Sequence, residues 1–273
     1  MTTNTTINAA QNPALANQLA SNAIALAEQE AAVAKPKAKV TLPPDPVVEL
    51  LGGVEDPLSG TITTAEVREL TGVDEEIISK ITDTGKSLLT ILERATVRIG
   101  SEPATPELLD VMYAGDRELL LLKIRNVTFG AEVKMGPGSC PECGQEQVFK
   151  LDLENDVPMK KLEGGREFEV SCKVGKVLVT LPTGHTQKAI VTSSNKTTAE
   201  LDTLLLRNCI KSINGNTDIT FDMVRGLSLK DRKEILSEIT NRNPGPQLSD
   251  IKGKCQSCDS EVSLPLTLAD LFR

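Results

Sequence analysis

The sequence predicts an α+β fold with a helical N-terminal half, a small antiparallel β region and a discontinuous four-cysteine ribbon. Three observations carry that expectation. Apolar residues recur at helical spacing up to about residue 126, alternation with a period of two takes over from Val127, and two Cys-x-x-Cys pairs stand far apart in the chain. The chain divides accordingly into an Ala-rich helical arm and Pro-rich linker (1–46), a mostly helical region (47–126) and an α+β region that contains the ribbon (127–273).

Within the arm, Leu15, Leu19, Ala23, Leu26 and Ala27 repeat at helical spacing from Pro13 to Val33, with Pro13 suited to a first turn. The stripe is too narrow to found a core. Lys35 to Lys39 and Pro43-Pro44-Asp45-Pro46 follow as an extended linker. Two readings stand for this segment, a solvated tail or a helix that orders when it docks on a partner. In the next region Thr61 to Val67 reads as a short strand and Asp74 to Ile81 as a short helix. The acids Asp74-Glu75-Glu76 are expected to be a solvated helix start. Leu88, Leu89, Leu92 and Ala95 continue a helical period. Thr105-Pro106-Glu107 opens a further helix that breaks at Ala114-Gly115, after which Asp116 is expected to cap a helix running to about Asn126.

From Val127 the short runs Ala131–Met135, Val148–Leu153, Glu167–Cys172, Lys176–Leu181 and Lys188–Thr192 alternate as strands do. Thr197-x-x-Glu200 is a capping box ahead of a helix carrying Leu201, Leu204, Leu205, Cys209 and Ile213. Ser228-x-x-Asp231 opens another with Ile235, Leu236 and Ile239, which Asn243-Pro244-Gly245-Pro246 stops.

The chemistry lies in the cysteines. Cys140-Pro141-Glu142-Cys143-Gly144 and Cys255-Gln256-Ser257-Cys258-Asp259 each hold two thiols across a tight knuckle, a spacing that lets both sulfurs reach one tetrahedral ion at about 2.3 Å. Gly144 and Asp259 follow at the same position, where the turn calls for positive φ. Beyond the knuckles, Phe149, Leu151 and Leu153 stand in the same places as Leu264, Leu266 and Leu268, so the halves read as equivalent knuckle-and-strand units, with Pro265 placing the second strand at an edge. Four thiolates leave no position open for water, so the expected cofactor is a structural Zn²⁺ held by Cys140, Cys143, Cys255 and Cys258. The competing readings are two redox dithiols or free thiols.

Other candidates are weaker. Cys172 and Cys209 fit buried small hydrophobes. His185, the one histidine, reads as a solvated residue in a strand-to-turn corner. Thr84-Gly85-Lys86-Ser87 resembles the end of a phosphate loop but has Lys80 where that motif requires Gly, and is expected to be a helix-helix turn. No nucleophile, base and acid set is marked, so no enzyme activity is expected.

Composition narrows the function classes. With 39% hydrophobic and 25% charged residues over 273 positions the chain is of globular type; five Phe, one Tyr and no Trp leave the core to Leu, Ile, Val and Ala. A net charge of −8 and a pI near 5.0 argue against a phosphate-binding surface, and hence against the nucleic-acid binding that four-cysteine ribbons often serve. No apolar stretch reaches 18 residues, so no membrane partner is expected. The opening residues lack the charged and apolar regions of a secretory leader. In the reducing cytosol so expected, spaced cysteine pairs are metal ligands more often than disulfides.

Several segments resemble one family when taken in order. They are Thr64-Ala65-Glu66-Val67-Arg68-Glu69-Leu70-Thr71-Gly72, Gly115-Asp116-Arg117-Glu118, Arg125-x-x-Thr128-Phe129-Gly130, the Cys-Pro-x-Cys-Gly knuckle, Leu181-Pro182-Thr183-Gly184, and the ending Leu264-Pro265-Leu266-Thr267-Leu268-Ala269-Asp270-Leu271-Phe272. Together they resemble the baseplate hub and hub assembly chaperone family of T-even-type contractile-tail bacteriophages, from about Val47 to the C-terminus. The resemblance implies a non-catalytic structural or assembly protein, partnered by other baseplate or hub proteins, assembled in the bacterial host cytoplasm and resident in the virion tail baseplate. A chaperone that departs before the particle matures is the alternative.

Overall fold

The computed structural model describes residues 46–56, 60–193 and 196–272; the helix expected over Pro13–Val33 and the linker after it lie outside them. The architecture is α+β, and every sheet among the described residues is antiparallel. Strands β1 (Val47–Asp56), β2 (Gly60–Val67), β3 (Thr96–Ile99) and β4 (Glu102–Pro103) form a four-stranded sheet in that order. Between and after them run α1 (Gly72–Ile78), α2 (Thr84–Ala95), α3 (Pro106–Val111) and α4 (Ala114–Phe129).

The expectation of a mostly helical region over 47–126 is therefore corrected. Thr61 to Val67 is a strand as read, but β1, β3 and β4 were missed. Val47-Val48-Glu49-Leu50-Leu51 is nearly continuously apolar and then broken by Gly52-Gly53, so period two never shows. Strand β3 continues the apolar run of α2 without a break, because Thr96 caps that helix and starts the strand.

Helix α4 organises the molecule. Eleven of its residues are buried, on all sides, which is why Leu119 to Leu122 can be consecutive leucines. Leu119, Leu120, Leu121 and Ile124 join the first apolar cluster with Val48, Leu92 and Ile99, whereas Leu122 belongs to a cluster around the two cysteine knuckles. The helix does not break at Ala114-Gly115; it starts there, with Tyr113 as N-cap. Asp116 does not cap it either. The carboxylate reaches β1 and accepts from the backbone N–H groups of Leu51 (2.7 Å), Gly52 (3.1 Å) and Gly53 (2.8 Å), holding the bulge between Glu49 and Val54. Close backbone approach explains Gly115, where a Cβ would stand 1.5 Å from the carbonyl oxygen of Pro244.

The acids at α1 are only partly a solvated start. Asp74 is fully buried and pairs with Arg68 and Arg94, each at 2.7 Å, while its carboxylate also accepts from Thr71 N. The Arg68 hydrogen bond, opposed by burial, and then bonds from Thr71 and Arg94 hold the carboxyl well below the usual carboxylate range. Because the folded-state value is depressed, this stabilisation is present above the unfolded value of about 3.9 and is lost as pH falls through the folded one. Asp74→Asn should cost about 1–2 kcal/mol at neutral pH, modest because the two arginines are themselves 37% and 33% exposed to screening. The gap between the two proteins in urea unfolding should begin to narrow below about pH 4 and shrink further as the pH falls. An equal gap at acid and neutral pH would refute this account of the pair.

The remaining elements are β5 (Glu132–Ser139), β6 (Glu146–Asp152), β7 (Met159–Lys160), β8 (Glu167–Cys172), β9 (Gly175–Thr180), α5 (Gly184–Val191), α6 (Thr198–Cys209), β10 (Ile210–Ile213), α7 (Phe221–Gly226), α8 (Leu229–Arg242), β11 (Gly245–Pro246), β12 (Lys252–Lys254) and β13 (Glu261–Ser263), with 3₁₀ turns at Leu248–Asp250 and Leu268–Phe272. Strands β10, β9 and β8 form a three-stranded sheet over a second apolar cluster that includes Val177, Val179, Leu206 and Ile235.

Two assignments change here. The run Lys188–Thr192 is not a strand: Lys188 to Val191 form the last turn of α5, and Thr192 ends it with its N–H donating to Lys188 O at 3.0 Å. The helix after Thr197 stops at Cys209, and Ile210–Ile213 turns into β10 to pair with β9. His185 is the second residue of α5 and lies exposed, not in a turn. Thr84 to Ser87 is the first turn of α2, capped by Asp83, and Gly85 stands where a Cβ would be 2.9 Å from Val191, so its use is packing against α5.

Candidate metal centre

Each knuckle is a hairpin tip. Ser139 pairs with Glu146 at the end of β5 and β6, and Lys254 pairs with Glu261 at the end of β12 and β13. Within the tips the backbone bonds repeat. Cys140 N donates to Gln145 O and Gly144 N to Cys140 O, at 3.0 and 2.9 Å; Cys255 N donates to Ser260 O and Asp259 N to Cys255 O, both at 2.9 Å. The fifth position turns left-handed in both, at φ +72° for Gly144 and +56° for Asp259. That conformation is free for Gly and tolerated by Asp, as the sequence led one to expect.

The tips meet. Cys140 Sγ lies 3.7 Å from Cys258 Sγ, Cys143 Sγ lies 3.7 Å from Cys255 Sγ, and all four sulfurs stand within 4.8 Å of one another. Four sulfurs at about 2.3 Å from a common centre define a tetrahedron with edges of about 3.8 Å, so the donor set fits one metal ion. No sulfur pair is near the roughly 2.05 Å of a disulfide. Cys140 and Cys255 are buried, and Cys143 and Cys258 face outward, so each knuckle gives one inner and one outer ligand. Strand contacts fix the approach: Gln147 Oε1 of β6 accepts from Gln256 N of the other tip at 3.0 Å.

Sequence reasoning missed Ser260, whose hydroxyl lies 3.2 Å from Cys140 Sγ and 3.0 Å from Cys258 Sγ. It occupies the position equivalent to Gln145, and no spacing rule marks it. Its hydrogen bond, with backbone amides of Cys143 and Glu142, holds the Cys140 thiol down at about 6. Cys255 is lowered too, first by the Ser257 amide. The Gln145 amide favours a Cys143 thiolate, but its neighbours Cys258, Cys255 and Cys140, together with burial, push that thiol up to about 12. Four sulfurs this close resist ionising together, and a divalent cation at their centre would supply the compensating charge.

The expected continuation of the second unit holds in burial and fails in geometry. Phe149, Leu151 and Leu153 share a buried cluster with Leu264 and Leu266. Strand β13, however, ends at Ser263, because Pro265 has no N–H for the ladder, and Leu268 enters a 3₁₀ turn. Leu264 N and Leu266 N instead make single bonds to Ile251 O and Leu248 O.

One further group of candidate ligands occurs among the described residues, Cys172 with Asp231 and Glu234. Burial, then the two carboxylates, push the Cys172 thiol up to about 11, and Asp231 Oδ1 is occupied by Lys173 N at 2.9 Å. Cys172 is half-buried and Cys209 fully buried, the latter pushed up to about 12 by burial, so both serve as small apolar side chains. No helix among the described residues is long and apolar enough to cross a membrane.

No curated protein and no solved structure matches the chain. Residues 57–273 match the family model described as T4 bacteriophage base plate protein, and the chain belongs to that family.

Proposed function

We propose that this baseplate protein is a non-catalytic structural or assembly component of the hub region, and that Cys140, Cys143, Cys255 and Cys258 hold a structural Zn²⁺ that locks its shape for docking. The observation that carries the zinc reading is the pair of 3.7 Å sulfur contacts across the two knuckles. Four-sulfur tetrahedral sites suit zinc or iron, and a closed shell without an open position has no place for substrate or activated water. The protein assembles in the host cytoplasm and stays in the virion tail, where its partners are other baseplate and hub proteins, one of them receiving the arm at Pro13–Val33.

Mass spectrometry of purified tail particles and metal analysis of the purified chain test the two halves separately. The reading expects the chain in mature particles and one zinc per chain. Absence from particles would turn the assignment to a departing assembly chaperone. Iron, or well under one zinc per chain, would overturn the metal.

A further inference from the structure

Two of the edges that join the knuckles across the sulfur cluster differ. Along one, Cys140 Sγ and Cys258 Sγ stand 3.7 Å apart with the Ser260 hydroxyl beside them, 3.2 Å from the first and 3.0 Å from the second. Along the other, Cys143 Sγ and Cys255 Sγ are also 3.7 Å apart, and no side-chain oxygen or nitrogen among the described residues hydrogen-bonds to either sulfur. Gln145 holds the position equivalent to Ser260, but its amide donates to Glu146 O at 3.1 Å instead.

The backbone fixes Ser260 at this edge. Its carbonyl accepts from Cys255 N at 2.9 Å, closing the tip, and β13 begins at the next residue. A sulfur bound to a cation is a thiolate with no hydrogen of its own, so at a loaded centre the hydroxyl is the donor and the sulfurs are the acceptors. The oxygen and the two sulfurs form a triangle with sides of 3.0, 3.2 and 3.7 Å, which leaves the one hydrogen within reach of both thiolates. Hydrogen bonds to ionised acceptors are about twice as strong as neutral ones, and groups that bond to metal ligands fix the orientation of those ligands. Cys140 is the buried ligand of the first tip and Cys258 the exposed ligand of the second, so the hydroxyl ties one hairpin to the other independently of the ion.

We propose, on the zinc reading above, that Ser260 is a positioning residue of the metal centre, sharing its hydroxyl hydrogen between the Cys140 and Cys258 thiolates and so slowing loss of the ion. Cys143, the other exposed ligand, has no such side-chain donor and is the ligand that leaves first.

The test uses the full-length protein loaded with one equivalent of zinc and challenged with the chelator pyridylazoresorcinol, as wild type, Ser260→Ala and Ser260→Thr. Zinc affinity should fall about tenfold in Ser260→Ala and return to within about threefold of wild type in Ser260→Thr, which restores the hydroxyl. With cobalt in place of zinc, the sulfur-to-cobalt charge-transfer band should move to longer wavelength in Ser260→Ala, because a thiolate that loses a hydrogen bond is the better electron donor. A serine that served backbone packing alone would leave that band in place. Equal affinity of wild type and Ser260→Ala, an unmoved band, or a threonine variant no better than alanine overturns the role.

If Ser260→Ala does not fold, the wild type decides. Limiting iodoacetamide on the zinc-loaded protein, followed by peptide mapping, should label Cys143 about threefold or more faster than Cys258. Labelling of Cys258 as fast as Cys143 or faster overturns the role. A wild-type chain that takes up no zinc refutes the metal reading and this role with it, whereas a zinc-binding wild type matched by Ser260→Ala refutes the role alone.

Discussion

Replacing Cys255 by serine is expected to lower stability by about 5 kcal/mol or more, a large share of what a domain has. Structural zinc in small fingers contributes roughly 10–16 kcal/mol of apparent binding energy at neutral pH, and loss of one of four thiolates forfeits much of it. The hairpin that carries the second pair of ligands is short. Strands β12 and β13 are three residues each, and a two-stranded hairpin is marginal by itself in water. What they bury jointly is the cluster of Phe149, Leu151, Val262, Leu264 and Leu266, which needs the two tips in register. Amide exchange should therefore accelerate first over residues 132–152 and 252–264, and a strong chelator should produce the same pattern in the wild type. Cys172→Ser, at a half-buried thiol away from the centre, serves as the control and should cost under about 1.5 kcal/mol. Equal melting of the two variants would mean that the centre does not hold these hairpins.

The second large effect is expected at Asp116. Its carboxylate is the acceptor for three consecutive backbone N–H groups of β1, and alanine would leave those donors in a site with no exposure at the acid. An unsatisfied buried donor costs about 1–3 kcal/mol, so Asp116→Ala should cost about 3–6 kcal/mol after allowing for some relaxation. Burial raises the carboxyl's own pKa against the pull of the Gly52, Leu51 and Gly53 amides, which marks a desolvation cost that alanine removes and places the net effect below the full sum. Asp116→Asn keeps one acceptor oxygen and should lose about half as much. Urea denaturation gives both values. A loss under about 1 kcal/mol for Asp116→Ala would show that the Gly52-Gly53 bulge is held by other contacts.

These two sites also mark what the sequence could and could not convey. The knuckles were legible because ligand spacing and turn chemistry are local: Cys-x-x-Cys followed by Gly144 or Asp259 specifies the left-handed fifth residue wherever the chain is placed. Caps at Thr105, Thr197 and Ser228 were legible for the same reason, each accepting from an amide three residues on. Strand β8 matched its expected span, Glu167–Cys172, because one face alone is buried and alternation is clean.

Legibility failed where burial is two-sided or a role is set by distant chain. Strand β1 carries Val at exposed Val47 as well as at buried Val48, so its alternate burial leaves no alternation in composition, and α4 is buried around most of its circumference, charged residues included. Asp116 looks like a cap until β1 is seen 63 to 65 residues away along the chain. Asp74 looks solvated until Arg94 arrives from α2. The run 188–192 has the composition of a strand, yet its first four residues close the helix α5. Ser260 has no local signature, since its place beside two thiols depends on the two tips meeting.

That meeting is the central claim, and X-ray absorption at the zinc edge of the purified full-length protein tests it most directly. Four sulfur neighbours at about 2.3 Å, with no nitrogen or oxygen in the shell, are the predicted result. A shell of two sulfurs completed by nitrogen or oxygen would contradict it, because each knuckle would then bind alone.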